Sequence, residues 1–308
     1  MAGEPGGGLV PVEQPSPDGA PTGGPSFTGE ITRFARSLAG AAGVLGRRAL
    51  GEAATVDGFG LDTELTDLVI APLLRPLYRS WFDVDAQRLA VLPDEGPALV
   101  VSNHSGVLPW DAAMLALAVH DETSEHRFLR LLAADLVFDT PLLGWVARGG
   151  GATRARPADA EALLRAGELV GVFPEGFRGT GKLYRDRYRL QRFGRGGFVA
   201  VALRTGAPIV PCAVVGAEES HPMLADVPAL ARALGIPYFP ITPTWPLLGP
   251  LGLAPLPASW TIRLADPIPT AHLGAGAADD PDLVRALADR VRDTVADMLD
   301  DILPTRRG

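Results

Sequence analysis

From residue 98 to residue 215 the chain alternates short apolar runs with stretches of helical periodicity, and this alternation restricts the choice of fold more than any other feature. Runs such as Ala98–Ser102 and Ile209–Val215 show no polar–apolar alternation, as is typical of strands buried on both faces. Strands separated by helices pair in parallel, so the pattern predicts an α/β domain with a largely parallel central sheet flanked by helices. The predicted strands are Ala98–Ser102, Phe128–Ala133, Leu169–Phe173 and Ile209–Val215, with Thr261–Ala265 as an added edge strand, and the predicted helices are Asp111–His120, Leu142–Arg148, Ala158–Ala166 and Gly197–Thr205.

The segments that flank this region have different compositions. Residues 1–26 are half glycine and proline, which predicts a disordered tail. Residues 27–82 read as an amphipathic helical segment carrying several arginines, which either packs on its own domain or lies on an anionic membrane surface. The α/β domain is expected over 83–270. Residues 271–308 contain a strongly amphipathic helix at 280–302, interpreted as structural packing or a homodimer contact.

Charge and cysteine content exclude several classes of protein. The 308 residues carry a formal net charge of −8, which argues against general nucleic-acid binding. Cys212, the single cysteine, excludes an intrachain disulfide and a multi-cysteine zinc site, and its apolar run predicts a core thiol. No apolar run reaches the ~18 residues of a membrane span, and the N-terminus lacks a signal-peptide pattern. We therefore expect a cytoplasmic protein, soluble or peripherally membrane-associated.

A histidine and an aspartate follow the first predicted strand closely. His104 comes two residues after Ser102, the small residues Ser105 and Gly106 succeed it, and Asp111 lies seven residues on. An imidazole with a nearby carboxylate is the arrangement of a general base and its orienting partner. The alternatives are a structural histidine and an Asp111 that only caps the following helix. No second histidine or carboxylate cluster adjoins His104, so no metal site is predicted.

A second motif, Phe173-Pro174-Glu175-Gly176, follows the third predicted strand. Glycines around it let the backbone approach a ligand, and two cations, Arg178 and Lys182, are placed to pair with a phosphate. Residues 182–195 hold six cations among aromatic residues, suited to anionic headgroups or to the phosphates of coenzyme A. The alternative is a surface turn with solvated charges. Because parallel strands end at one edge of a sheet, Glu175 and His104 are expected to share one site.

The proline-rich stretch Ile236–Trp260 is apolar and too broken by proline to form an ordinary helix. It suits a loop that lines an acyl groove or dips into a membrane, or an irregular segment that covers the sheet.

Asn103-His104 with Asp111, then Phe173-Pro174-Glu175-Gly176-x-Arg178, then Pro208-Ile209-Val210-Pro211 resemble, in that order, the phospholipid/glycerol acyltransferase family, which includes 1-acylglycerol-3-phosphate acyltransferases. The resemblance covers roughly residues 65–270. It implies O-acyl transfer from acyl-CoA or acyl-carrier protein to a hydroxyl of a glycerolipid or similar alcohol, with no cofactor. It also implies that His104 is the base, that Asp111 is its partner, and that Glu175, Gly176 and Arg178 bind the acceptor's phosphate.

Three details differ from the family pattern. Six residues separate His104 from Asp111 where four are usual, and Phe177 stands where a threonine is usual. Gly149 to Arg156 matches the family's second block only loosely, with Arg154 as its nearest arginine. In these differences the chain resembles more divergent members of the family, which acylate diacylglycerol or other neutral alcohols. The longer spacing also motivates an alternative, a non-catalytic lipid-binding or scaffold protein on the same fold. A further alternative is an acyl thioesterase, in which the same base acts on water.

Overall fold

The computed structural model describes residues 39–50 and 53–305, in which a mostly parallel sheet forms the centre of the chain. Its spatial order is β1-β9-β6-β2-β5-β3-β4. Every neighbouring pair is parallel except β6 with β9, which is antiparallel. A separate antiparallel pair is formed by β7 and β8. The strands are β1 Asp85–Gln87, β2 Ala98–Ser102, β3 Leu129–Ala133, β4 Thr153–Arg154, β5 Leu169–Val172, β6 Ile209–Val215, β7 Ala225–Asp226, β8 Pro240–Ile241 and β9 Thr261–Leu264.

Helices cover both faces of this sheet. In the N-terminal part, α turns alternate with wider π turns at Thr66–Ile70 and Leu77–Trp81. None of the described helices combines the length and apolar character needed to cross a bilayer. The helices are α1 (residues 39–49), α2 Thr63–Leu65, α3 Ala71–Pro76, α4 Trp110–Glu122, α5 Asp135–Asp139, α6 Pro141–Gly149, α7 Pro157–Arg165, α8 Phe177–Thr180, α9 Gly197–Thr205, α10 Ala217–Ser220, α11 Pro228–Leu234 and α12 Pro281–Ile302.

Among the described residues, most of the core consists of two apolar layers, one on each face of the sheet, and a smaller third cluster contains Val44 and Leu65. One layer joins α7, α9 and α12 to the sheet through side chains such as Leu163, Leu203 and Val291. The other joins α4 and the N-terminal helical segment to the opposite face, with Phe82 stacked on Trp260 at 4.6 Å between ring centroids. Burial on both faces explains the unbroken apolar runs of β2 and β6. The prediction of an α/β fold with a largely parallel sheet is confirmed.

The predicted elements agree with the observed ones, with two corrections. The predicted bounds of β2, α9 and β6 are correct, and the other predicted elements shift by one or two residues. Thr261–Leu264 is not an edge strand, because Asp85–Gln87 pairs along its outer side. Asp111 is not the N-cap of α4, because the helix already begins at Trp110 and the Asp111 carboxylate points inward. The predicted tail (1–26) and the start of the predicted 27–82 segment lie outside the described residues.

Helix α12 uses its apolar face for packing within the chain, the first of its two predicted roles. Val291 and Val295 are fully buried in the same layer as α9. The Asp280 side chain caps the helix by accepting hydrogen bonds from the backbone N–H groups of Asp282 and Leu283. Cys212 is also buried, as predicted, and this burial raises the pKa of its thiol to about 12.

A charged network joins the N-terminal helical segment to α4. Arg75 donates two hydrogen bonds to Asp121, at 2.7 and 2.8 Å. His120 is enclosed by carboxylates, with Nδ1 2.9 Å from Asp121 and Nε2 3.1 Å from Asp67. The hydrogen bond to Asp121, helped by the charge of Asp67, raises the pKa of His120 above its ordinary value despite burial and Arg75. The folded protein therefore favours the protonated imidazole of His120 more than the unfolded chain does.

This preference predicts a pH-dependent contribution of His120 to stability. Since the folded-state pKa is raised, the stabilisation is complete below the unfolded pKa of about 6.5 and is lost as pH rises through the folded pKa. We expect the difference in unfolding free energy between wild type and His120→Asn to be largest near pH 6 and to shrink towards pH 9. Urea denaturation of both proteins across this range measures it. A difference that stays constant with pH would contradict the prediction.

Candidate active site

His104 and Glu175 lie together at one edge of the central sheet. His104 follows β2 and Glu175 follows β5, and these strands are parallel neighbours paired from Ala98 with Leu169 to Val101 with Val172. Their carboxyl ends therefore open at the same edge, where ligands bind in open α/β sheets. The predicted shared placement of the two motifs is what the structure shows.

The His104 imidazole is paired with a wholly buried carboxylate. Its Nδ1 lies 2.7 Å from Oδ2 of Asp111, whose side chain has no exposed surface. The backbone N–H groups of Ser105 and Ala112 donate to the same carboxylate at 2.9 and 2.8 Å. An acceptor at Nδ1 places the ring proton there and leaves the lone pair on Nε2. The His104 side chain is 16% exposed, and Nε2 takes part in no hydrogen bond found among the described residues.

The loop between the two residues absorbs their longer separation. Gly106 adopts a φ of +85°, and a Cβ there would lie 3.1 Å from the Ala217 carbonyl oxygen. The chain turns again where the Trp110 N–H donates to the Leu108 carbonyl at 2.7 Å. The hydrogen bond from the Ser105 N–H then holds the start of this loop against the Asp111 carboxylate. Six intervening residues therefore still bring the carboxylate to the imidazole.

Glu175 fixes the backbone on which His104 sits. One of its carboxylate oxygens accepts a hydrogen bond from the His104 N–H at 2.9 Å, and the other accepts from the Gln191 N–H at 2.6 Å. Gly179 of α8 packs directly beneath, where a Cβ would lie 2.5 Å from the His104 carbonyl oxygen. The ring of Phe173 contacts the imidazole at 4.6 Å between centroids. The second motif thus holds the histidine in position.

A buried cation lies behind Glu175. Nζ of Lys182 is 3.0 Å from Glu218 and 3.7 Å from Glu175, and the three side chains are at most 6% exposed. Glu218 also accepts hydrogen bonds from the Tyr188 N–H. Burial raises the pKa of Glu218 even though Lys182 opposes the effect. The group is an ion-pair triad beneath the candidate site.

The residues predicted to bind substrate fall into two groups. Arg178 and Gly176 are exposed at the start of α8, the short helix whose Gly179 packs on the His104 backbone. Glu175 and Lys182 are buried and paired within the chain, as described above. Arg154 lies in β4 at the far end of the sheet and pairs with Asp135. The site brought to one place is therefore His104, Asp111 and Glu175, and α8, which carries the exposed Arg178, packs against it.

Three further residues shape this site but were not predicted to belong to it. The Asn103 side chain donates a hydrogen bond to the Val214 carbonyl and accepts one from the Val214 N–H, each at 2.8 Å. These two bonds connect the end of β2 to β6. The Tyr238 hydroxyl donates to the Val107 carbonyl at 2.9 Å, and its burial raises its pKa to about 12. The third is Glu218. Asn103 had a signal in sequence, since it precedes the histidine, whereas Tyr238 and Glu218 reach the site from distant segments.

Among residues 39–50 and 53–305, no group of three or more histidine, cysteine or acidic side chains is placed to hold a metal ion. The chemistry available at the site is that of a base with an orienting carboxylate.

Fold and site together define a class: an α/β protein with a histidine–aspartate pair at the carboxyl edge of its sheet and a Glu-Gly-x-Arg turn beside it. The sequence profile of the Acyltransferase family matches residues 83–215, which contain all of these groups. The chain belongs to the phospholipid/glycerol acyltransferase family.

The chain is also similar to individual proteins. An uncharacterized protein of Mycobacterium tuberculosis is 53% identical over 274 residues, 89% of this chain and 76% of the relative. A bovine protein named as a DGAT1/2-independent enzyme synthesizing storage lipids is 25% identical over 224 residues, 71% of this chain and 60% of its own. The crystal structure of the 1-acyl-sn-glycerophosphate acyltransferase PlsC from Thermotoga maritima superimposes with a TM-score of 0.53 at 15% identity, covering 91% of this chain and 98% of that one. This last likeness concerns the fold.

Proposed function

We propose that the protein transfers a fatty acyl group from an acyl thioester, either acyl-CoA or acyl-carrier protein, to a hydroxyl of a glycerolipid. The observation that carries this proposal is the 2.7 Å contact between His104 Nδ1 and Asp111 Oδ2. The six-residue separation motivates the alternative of a scaffold that has lost catalysis, and the contact between the two side chains supports the catalytic proposal over it.

The reaction follows from the protonation state that Asp111 imposes. Nε2 of His104 accepts the proton of the acceptor hydroxyl as its oxygen attacks the thioester carbonyl carbon. Asp111 stabilises the imidazolium that forms. The carbon–sulfur bond then breaks, and the imidazolium returns the proton to the departing thiolate. The products are an ester and a free thiol.

The exposed cation beside His104 favours an acceptor that carries a phosphate. Arg178 is exposed on α8, and α8 packs against the His104 backbone through Gly179. A guanidinium can hold a phosphate in bidentate fashion. We therefore propose a lysophosphatidate-like acceptor.

A neutral acceptor is the second candidate. Phe177, next to Arg178, is 43% exposed and offers an apolar surface at the same rim. The bovine relative is named for the synthesis of storage lipids. Diacylglycerol or a long-chain alcohol is the class of acceptor that this candidate implies.

An acceptor panel tests the proposed function. Thiol release from a long-chain acyl-CoA is followed with lysophosphatidate, diacylglycerol, a long-chain alcohol or no acceptor, and the lipid products are identified. We expect release to depend on the acceptor, to be fastest with lysophosphatidate, and to yield one ester per thiol. Release that is equal without acceptor would identify a thioesterase instead and would contradict the proposal.

We also propose that the protein binds peripherally to anionic membranes through the apolar segment 236–260. This segment has no charged residue, and Leu247, Leu248 and Leu251 are 84%, 57% and 78% exposed. Two hydrogen bonds connect this segment to the basic run, residues 182–195. The Tyr184 N–H of the basic run donates to the Met223 carbonyl, and the N–H of the next residue, Leu224, donates to the Ile241 carbonyl of the apolar segment. Exposed leucines beside cations are the combination that binds an anionic lipid surface.

Vesicle flotation tests this surface. We expect the protein to float with vesicles that contain anionic lipid at low salt and the double variant Leu247→Ser, Leu251→Ser to lose most of this binding. Leu142→Ser is the matched control, because Leu142 is equally exposed, at 74%, but lies on α6. Equal flotation of the double variant and wild type would contradict the proposed surface.

A further inference from the structure

A groove of about 700 Å³ lies between the loop that precedes α9 and the first half of α12. The groove is built on a fixed frame, because Gly196 packs so closely on α12 that a Cβ there would lie 2.6 Å from Val284. Its volume is within the range of small-molecule sites and exceeds that of a single phosphate. The charged residues that line it are Arg192, Arg195, Arg285, Arg292, Asp279 and Asp289.

The groove is locally basic on a chain whose net charge is −8. Arg292 lies 3.4 Å from the neighbouring Asp293, and Asp279 is engaged by Arg204 at 3.7 Å. For Arg192, Arg195 and Arg285, no ion pair is formed within the part of the chain that the structure describes. Three exposed guanidinium groups are therefore available to a phosphorylated ligand.

The groove lies at the same edge of the sheet as His104. Helix α9 leads into β6, which runs parallel to β2, so the start of α9 lies towards the carboxyl ends of these strands. Glu175 also connects the groove to the histidine. It accepts hydrogen bonds from the His104 N–H and the Gln191 N–H, and the next residue after Gln191 is Arg192, which lines the groove. A ligand in the groove can therefore extend towards the imidazole.

We propose that this groove binds the 3′-phosphorylated ADP portion of coenzyme A, with the pantetheine arm directed to His104. This inference rests on the proposed function and names the donor side of it. The arginines suit the phosphates, and Phe193, Ala200 and Ala288 supply an apolar wall for the adenine. The acceptor's phosphate binds elsewhere, at Arg178.

Calorimetric titration with unacylated CoA and with adenosine 3′,5′-bisphosphate tests the groove without any turnover. We expect both probes to bind wild type in a salt-dependent manner. The double variant Arg195→Glu, Arg285→Glu should bind both at least about tenfold more weakly, since two charge-assisted contacts become repulsive. Arg290→Glu is the matched control, because Arg290 is exposed on α12 but does not line the groove. Pantetheine, which lacks the nucleotide, should bind both proteins equally.

The outcomes separate this inference from the proposed function. CoA binding that depends on Arg195 and Arg285, in a protein without transferase activity, supports the groove and overturns the function. If the double variant transfers the acyl group with an unchanged KM for acyl-CoA, the assignment of the groove to CoA is overturned and the proposed transferase function is supported. If the double variant binds phosphatidate vesicles more weakly than wild type but binds CoA with unchanged affinity, the groove binds lipid headgroups, and the nucleotide assignment is overturned.

Discussion

Replacing His104 with alanine is expected to abolish acyl transfer while the protein stays folded. General-base catalysis contributes roughly 10²–10⁴-fold, and the two carboxylates beside the imidazole, Asp111 and Glu175, are buried and already accept hydrogen bonds from the backbone. Stability should change little, because Asp111 keeps two hydrogen bonds from the Ser105 and Ala112 N–H groups. Single-turnover acyl transfer and thermal unfolding measure the two quantities.

Two further variants make this test specific. Asp111→Asn removes the acceptor that fixes the Nδ1–H tautomer, so its transfer rate should also fall by orders of magnitude. His120→Asn is the matched control, because His120 is also a partly buried histidine paired with a carboxylate but lies at the end of α4, outside the site. We expect that variant to keep its transfer rate. Turnover like that of wild type in His104→Ala would remove the proposed mechanism.

The sequence pattern predicted the strands that carry the site because their burial leaves an unbroken apolar signature. Both β2 and β6 are buried at every position, and both were predicted with correct bounds. The histidine and Glu175 are fixed at one edge by the parallel pairing of their strands, which follows from a topological rule. The family assignment depended on the order of the motifs, which is also a property of sequence alone.

Side-chain direction was harder to predict, because it depends on contacts between distant segments. Aspartate at the start of a predicted helix is typical of an N-cap. The Asp111 carboxylate faces the imidazole only because of the fold of the loop, in which Gly106 has a positive φ. Lys182 looks like a surface cation in a run of six, yet it is buried by Glu218, which lies 36 residues away in sequence. The sequence predicts Thr261–Ala265 as an edge strand, because the three-residue β1 that pairs outside it is too short to give a pattern.

Replacing Lys182 with methionine is expected to destabilise the fold by about 3–5 kcal/mol, since it leaves two buried carboxylates without their cation. Glu175 would be one of these carboxylates, and its hydrogen bond positions the His104 backbone. Transfer activity should therefore fall together with stability. Because protonation relieves an unpaired carboxylate, the stability difference from wild type should shrink as pH is lowered. Urea denaturation across pH, with initial rates on the same samples, measures both effects.

A matched control and a second variant show whether Lys182 acts through this triad. Arg189→Met removes a cation of the same basic run that is 78% exposed, and its effect should stay within about 0.5 kcal/mol. Adding Glu218→Gln to Lys182→Met removes one of the two unpaired charges, so the double variant should regain part of the lost stability. The sequence motif instead suggested that Lys182 binds a substrate phosphate. That role predicts a raised KM for the phosphorylated substrate with unchanged unfolding free energy, and this result would contradict the structural role argued from the ion pairs.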